Sequence, residues 1–164
     1  MTAATANIAQ AGKFLSFRLG PDEFGVEILK VQEIVGGAGV ARVPGAPAPW
    51  RGVYGLRGHD IPVIDLRTCL NLPAGAVSEK NCIIVAEMMR AGRTVTVGLM
   101  VDEVCEVLNI SEDEIHFPPL GGGGMEETDF INGLGRFDGR EVVLVDVQQL
   151  LDGHDLDAID HLIY

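Results

Sequence analysis

The chain alternates short apolar runs with turn residues for most of its length. Phe14-Leu15-Ser16-Phe17-Arg18-Leu19 alternates apolar with polar and predicts a strand. Gly20-Pro21-Asp22 turns it, so Phe24 to Ile28 should return as a hairpin. Gly36 to Gly39 breaks the chain, and Val40 to Val43 is a short strand closed by Pro44, Pro47 and Pro49. Val53 to Leu56 and Ile61 to Asp65 predict a second hairpin around Arg57-Gly58-His59-Asp60. Cys82 to Met88 is a near-continuous apolar strand. It turns at Arg90 to Arg93, returns through Thr94 to Val101, and continues as Val104 to Ile110. Ser111-Glu112-Asp113-Glu114 predicts one capped helical turn. Phe130 to Arg136 and Glu141 to Asp146 form a last hairpin around Asp138-Gly139. Near the end the period changes. Leu156, Ile159, Leu162 and Ile163 stand three or four apart among aspartates, which predicts a short amphipathic helix over residues 153–164 that packs on the body or docks on a partner.

Two segments recur in the same order. Gly25 to Val35 matches Gly98 to Leu108, with Gly, Val and Glu at the same offsets. Ile61-Pro62-Val63-Ile64-Asp65-Leu66 matches Val142-Val143-Leu144-Val145-Asp146-Val147. Asp65 and Asp146 each end a strand where a carboxylate can accept from the free N–H groups of a helix's first turn. Two echoes in one order predict a β-rich unit used twice, with a seam between its copies. Many short strands and few helices predict an all-β fold of small barrels. Aromatic residues make up only 5% of the chain, so the cores must be filled by aliphatic side chains.

The 164 residues suffice for one domain, or two subdomains sharing a core, able to bury ~70% of the unfolded surface. No apolar run approaches the ~18 residues of a membrane span. Residues 1–13 lack the basic and apolar regions of a secretion signal and are expected to be a disordered lead-in. Twenty-four acids against 12 bases give a net charge of −12, which disfavours nucleic acid and anionic lipid as ligands and favours solubility or a basic protein partner. Cys69, Cys82 and Cys105 are odd in number and lie among apolar residues, as in a reducing cytoplasm.

Catalytic chemistry finds little support. His59, His116, His154 and His161 stand apart and form no metal-spaced pair with cysteine. No G-x-S-x-G elbow is present. Gly121 to Gly124 lacks a following Lys-Ser/Thr and is flanked by Glu126, Glu127 and Asp129, so it is expected to be a flexible loop and no phosphate cradle. No catalytic, cofactor or metal residue is therefore assigned. The alternative of an enzyme using seam carboxylates lacks a nucleophile-base-orienter set.

Several motifs together resemble a known family. Phe24 to Ile34, Pro44-Gly-Ala-Pro, Gly52-Val-Tyr-Gly-Leu-Arg-Gly, Ile61-Pro-Val-Ile-Asp-Leu-Arg, Val101 to Leu108 and Gly133-Leu-Gly are similar to the CheW-like coupling proteins of bacterial chemotaxis. The resemblance spans residues 14 to 152, leaving 153–164 as an acidic tail. It implies two intertwined five-stranded SH3-like barrels with short helices. It also implies an adaptor that joins the regulatory domain of a CheA-type histidine kinase to the cytoplasmic tips of chemoreceptors, in a ring or array. The location implied is cytoplasmic, recruited to membrane-associated receptor arrays, without membrane insertion. A related reading is an adaptor for a chemosensory-like pathway governing pili or another output.

By the same resemblance Val31, Glu33 and Ile34 match the strand near the receptor groove, Arg57 and Gly58 the loop tip beside it, and Val104 and Val107 the opposite lip. Gly52 and Gly133 match turn glycines. A carboxylate in an apolar strand and an arginine at a hairpin tip are each better explained by pairing, so Glu33 and Arg57 are expected to form an ion pair at the groove edge. The chain departs from the family pattern at Gly55, at His59-Asp60, in the Arg90–Arg93 hairpin and in the glycine run.

Overall fold

The computed structural model describes residues 12–70, 72, 80–116 and 131–152. The expected lead-in, the glycine run and the amphipathic tail lie outside the described residues. Twelve strands account for most of what is described. The first half holds β1 (Gly12–Leu19), β2 (Asp22–Glu27), β3 (Val31–Gly36), β4 (Ala41–Arg42), β5 (Trp50–Leu56) and β6 (His59–Asp65), followed by α1 (Leu66–Cys69). The second half holds β7 (Cys82–Arg90), β8 (Arg93–Val101), β9 (Glu103–Ile110), β10 (Ile115–His116), β11 (Ile131–Phe137) and β12 (Arg140–Val145), followed by α2 (Val147–Asp152).

The strand orders reveal how the halves combine. One sheet runs β10-β11-β12-β2-β1-β9 and the other β4-β5-β6-β8-β7-β3. Adding six to each strand number of the second sheet, and counting round from twelve, gives the first. Each half therefore contributes its opening hairpin to the other half's sheet. The joins are the two parallel pairings: Gly25 lies opposite Leu144, and Gly98 opposite Val63. Both repeated segments of the sequence meet at these joins. Each sheet has five long strands, as the family resemblance implies, plus a two-residue sixth at its edge.

The glycines at the joins have a steric cause. A Cβ on Gly98 would stand 2.7 Å from Ile83 Cγ2 and 3.3 Å from Val63 Cγ2. One on Gly25 would stand 3.1 Å from Leu144 Cδ2. Both point into a barrel interior already filled by branched side chains, where an added methyl forces neighbours apart.

Three cores result. Phe14, Leu108, Ile110, Val142 and Leu144 fill one barrel, while Ile61, Val63, Ile83, Val85 and Met100 fill the other. The largest core lies between the barrels and includes Leu15, Phe17, Val26, Ile64, Ile84, Val97, Leu99 and Leu151. The seam is thus mostly a packed core. The reason is visible in β1 and in β7 with β8. Their side chains alternate between a barrel interior and the seam, so both faces are largely buried, and β7 reads as a near-continuous apolar run.

Local signals fall where the sequence puts them. Asp65 Oδ1 accepts from Arg67 N–H at 2.9 Å, and Asp146 Oδ1 from Gln149 N–H at 3.2 Å, capping the two helices. Glu114 Oε1 accepts from Ser111 N–H at 2.8 Å and from the Ser111 hydroxyl at 2.7 Å. Two of the hairpin turns, at Arg57-Gly58 and Ala91-Gly92, are tighter than the sequence suggested. Arg57-Gly58, Ala91-Gly92 and Asp138-Gly139 each turn in two residues with positive φ at both positions, matching the strand twist. His59 and Asp60 consequently belong to β6, not to the turn.

Candidate functional site

Two edge strands, β3 and β9, carry the apolar residues assigned to the groove. In a regular strand, Val31 and Ile34 would point to opposite faces. A bulge changes this. The register of β3 against β7 shifts between Val31 and Glu33, so Val31 lies opposite Ala86 and Ile34 opposite Ile84. Ala86 and Ile84 both belong to the seam core. Directly paired residues share a face, so Val31 and Ile34 both point toward the seam. The second half repeats the device. A shift in β1 against β9 places Val104 opposite Phe17 and Val107 opposite Leu15, which are seam residues too. Val31 and Val104 pack against the seam core, while Ile34 and Val107 are 42% and 47% exposed. The four make two equivalent apolar edges, one on each sheet.

Charged groups stand beside these edges. Arg57 Nη2 lies 2.6 Å from Glu33 Oε1, the ion pair expected from the sequence. Arg57 is held at φ +51° in the tight turn with Gly58 at +82°. The guanidinium is mostly exposed and the carboxylate three-quarters buried, so the pair offers a donor-rich tip to solvent. In the second half Glu106 occupies the position of Glu33. Its partner is Arg140 at 3.4 Å, which also grips the nearly buried Glu23 at 3.0 and 3.3 Å and lies over the Phe137 ring. The bond to Glu23 holds the Arg140 guanidinium above its ordinary pKa. This triad escaped the sequence reading, because Glu23, Glu106 and Arg140 sit on three strands from distant parts of the chain.

Gly52 and Gly133 are not turn glycines. They lie within β5 and β11, immediately after equivalent register shifts opposite β6 and β12. A Cβ on Gly52 would fall 2.3 Å from the Ala41 carbonyl oxygen, so the close approach of β4 excludes any side chain there.

A stronger ionic cluster closes one margin of the seam. Arg67 in α1 donates from Nε to Asp102 Oδ1 at 2.8 Å and from Nη2 to Oδ2. Asp102 Oδ2 also accepts from Gly20 N–H at 2.8 Å, and Asp102 N–H donates to the Arg18 carbonyl at 3.1 Å. Arg51 Nη1 lies 3.2 Å from Asp65 Oδ2. The Arg67 bonds hold the Asp102 carboxyl below the usual carboxylate range.

The thiols are poorly suited to nucleophilic work. Burial, aided by the charge of Asp65, pushes Cys69 up to about 12. Burial also raises the Cys105 thiol, with Glu23 contributing. Among the described residues no group of three or more His, Cys, Asp or Glu is placed to hold a metal ion, and no helix is long and apolar enough to cross a membrane.

Comparison with known proteins agrees with this geometry. The family model for the CheW-like domain matches residues 13–155. The chain is 35% identical over 150 residues to the chemotaxis protein CheW of Klebsiella aerogenes, covering 92% of this chain and 87% of that protein. It is 31% identical over 159 residues to the chemotaxis protein CheW of Rhizobium meliloti, covering 96% and 99%. The crystal structure of scaffolding protein TtCheW from Thermoanaerobacter tengcongensis superposes with a TM-score of 0.73 at 27% identity, covering 90% of this chain and 99% of that one. With its doubled barrel, its paired strand edges and matches over nearly its whole length, the chain belongs to the CheW-like domain family.

Proposed function

We propose that this protein is a non-catalytic chemotaxis adaptor that joins a CheA-type histidine kinase, through its regulatory domain, to the cytoplasmic tips of chemoreceptors. It works in the cytoplasm, recruited to receptor arrays at the membrane. The observation that carries this reading is the pair of equivalent strand edges. Val31 with Ile34 and Val104 with Val107 offer two apolar lips facing the seam, and Glu33 with Arg57 adds a polar rim. An apolar centre with a charged border suits a reversible protein contact. The lips are the receptor-facing surface, and the Arg57 tip lies where kinase and receptor contacts meet. Each contact can be weak, because repetition in a ring multiplies it.

The test is calorimetric binding to the purified regulatory domain of the cognate kinase, with and without a receptor-tip fragment. Arg57→Glu places a negative charge beside Glu33 on an exposed turn, so the fold should survive, checked by circular dichroism. Binding of kinase or receptor should weaken by at least about tenfold, the loss expected for a charged interface pair. Val107→Glu should weaken receptor binding more than kinase binding. Wild-type affinities in both variants would refute the assignment of these edges.

A further inference from the structure

The internal repeat allows one margin of the seam to be compared with the other. The strand registers fix the correspondence. Arg51 is the extra residue between Trp50 and Gly52, and Asn132 is the extra residue between Ile131 and Gly133. Asp65 then corresponds to Asp146, Arg67 to Gln148, and Asp102 to Leu29. The first margin is closed by two arginines on two aspartates. The second has lost both arginines and one aspartate.

What remains there is an open groove of about 570 Å³. Leu29 is 89% exposed and Met89 48% exposed on its walls. Among the described residues three carboxylates line it, Glu27, Glu87 and Asp146, against the single cation Lys30. Asn132 also lines it; the residue is only 6% exposed, and its side-chain oxygen has no hydrogen-bond partner among the described residues. A buried acceptor of this kind marks a place where a donor is missing. Gln148 does not supply it. Its amide is committed to Met89 N–H at 2.6 Å, the Met89 carbonyl at 2.9 Å and Asp152 Oδ1 at 2.9 Å.

We infer that this groove receives an arginine, flanked by aliphatic residues, from a basic segment of a partner protein. The guanidinium takes the place that Arg51 occupies at the other margin, pairing with Asp146 as Arg51 pairs with Asp65, and donating to Asn132. The aliphatic neighbours cover Leu29 and Met89. Arginine suits the site better than lysine because its planar fork reaches a carboxylate and a second acceptor together.

The probe is a fluorescein-labelled hexapeptide of alternating leucine and arginine, followed by anisotropy on the full chain. A peptide with citrulline in place of arginine keeps the shape and removes the charge. The inference expects saturable binding, at least about tenfold weaker for the citrulline peptide. Asp146→Asn with Glu87→Gln should cost a similar factor, with the helix cap retained because asparagine also caps. The charge-matched control Glu112→Gln with Asp113→Asn, on an exposed turn outside the groove, should bind as wild type. Leu29→Asp with Gln148→Arg installs the other margin's ion pair and should abolish binding while leaving the fold intact by circular dichroism. Several results would overturn the inference. These are equal affinity for both peptides, equal loss in the control pair, binding that appears only after residues 153–164 are deleted, or a dimer in sedimentation that dissolves on Leu29→Asp. The third would assign the groove to the chain's own tail, and the fourth to a second copy.

Discussion

Replacing Asp102 by alanine removes the group on which three elements meet. Asp102 sits between β8 and β9, Arg67 in α1, and Gly20 in the turn between β1 and β2. The Arg67 side chain is 18% exposed and that of Asp102 30%. An exposed ion pair contributes about 0–1 kcal/mol, whereas removing one partner of a buried pair costs about 3–5 kcal/mol. This pair lies between those limits, so about 2 kcal/mol is the expected loss. For a chain of this size that corresponds to a fall in Tm of about 4–8 °C. The assay is urea unfolding followed by the fluorescence of Trp50, the single tryptophan, which packs against the seam core. A double-mutant cycle with Arg67→Ala should give a coupling of about 1–2 kcal/mol.

The coupling also has a pH signature. Arg67 depresses the folded-state pKa of Asp102 below its unfolded value of about 3.9. The stabilisation is therefore complete above that value and is lost as pH falls through the depressed folded pKa. The advantage of wild type over Asp102→Asn should be constant from pH 5 to 7, within roughly the range where both states are ionised, and shrink below about pH 4. A coupling under about 0.3 kcal/mol, or a difference that persists unchanged into acid, would refute this account of the margin.

Other expectations follow from the packing. Gly98→Ala should cost about 1–3 kcal/mol in urea unfolding by crowding Ile83 and Val63. Gly36→Ala, whose added methyl meets nothing within 4 Å among the described residues, should stay within about 0.5 kcal/mol. Equal effects would remove the steric explanation of the repeated glycine. Ser16→Ala should cost about 1–3 kcal/mol, because the buried Ser16 hydroxyl accepts from Glu106 N–H at 3.2 Å across the β9 bulge. A neutral Ser16→Ala would show that water satisfies that N–H. With a thiol reagent near neutral pH, exposed Cys105 should react before buried Cys69, whose modification should track global unfolding. Fast labelling of Cys69 in mass spectra of the native protein would contradict its burial.

The local pieces are legible along the chain. Alternation and apolar runs located the long strands, the residue before each helix fixed Asp65 and Asp146 as caps, and the two internal echoes announced a doubled unit. The Glu33–Arg57 pair was also legible, since neither charge had another reason to sit where it does. The remaining features arise only when the chain folds. Strand periodicity has no memory of distance along the chain, so nothing in it shows that each half lends its hairpin to the other, or that Gly25 and Gly98 sit at the joins. Bulges add one residue without a sequence mark of their own, yet they decide that Val31 and Ile34, and Val104 and Val107, share a face. The difference between the seam's two margins is likewise a property of the folded chain, because Arg51, Arg67 and Asp102, or Asn132, Gln148 and Leu29, become neighbours only when the two sheets close on a common core.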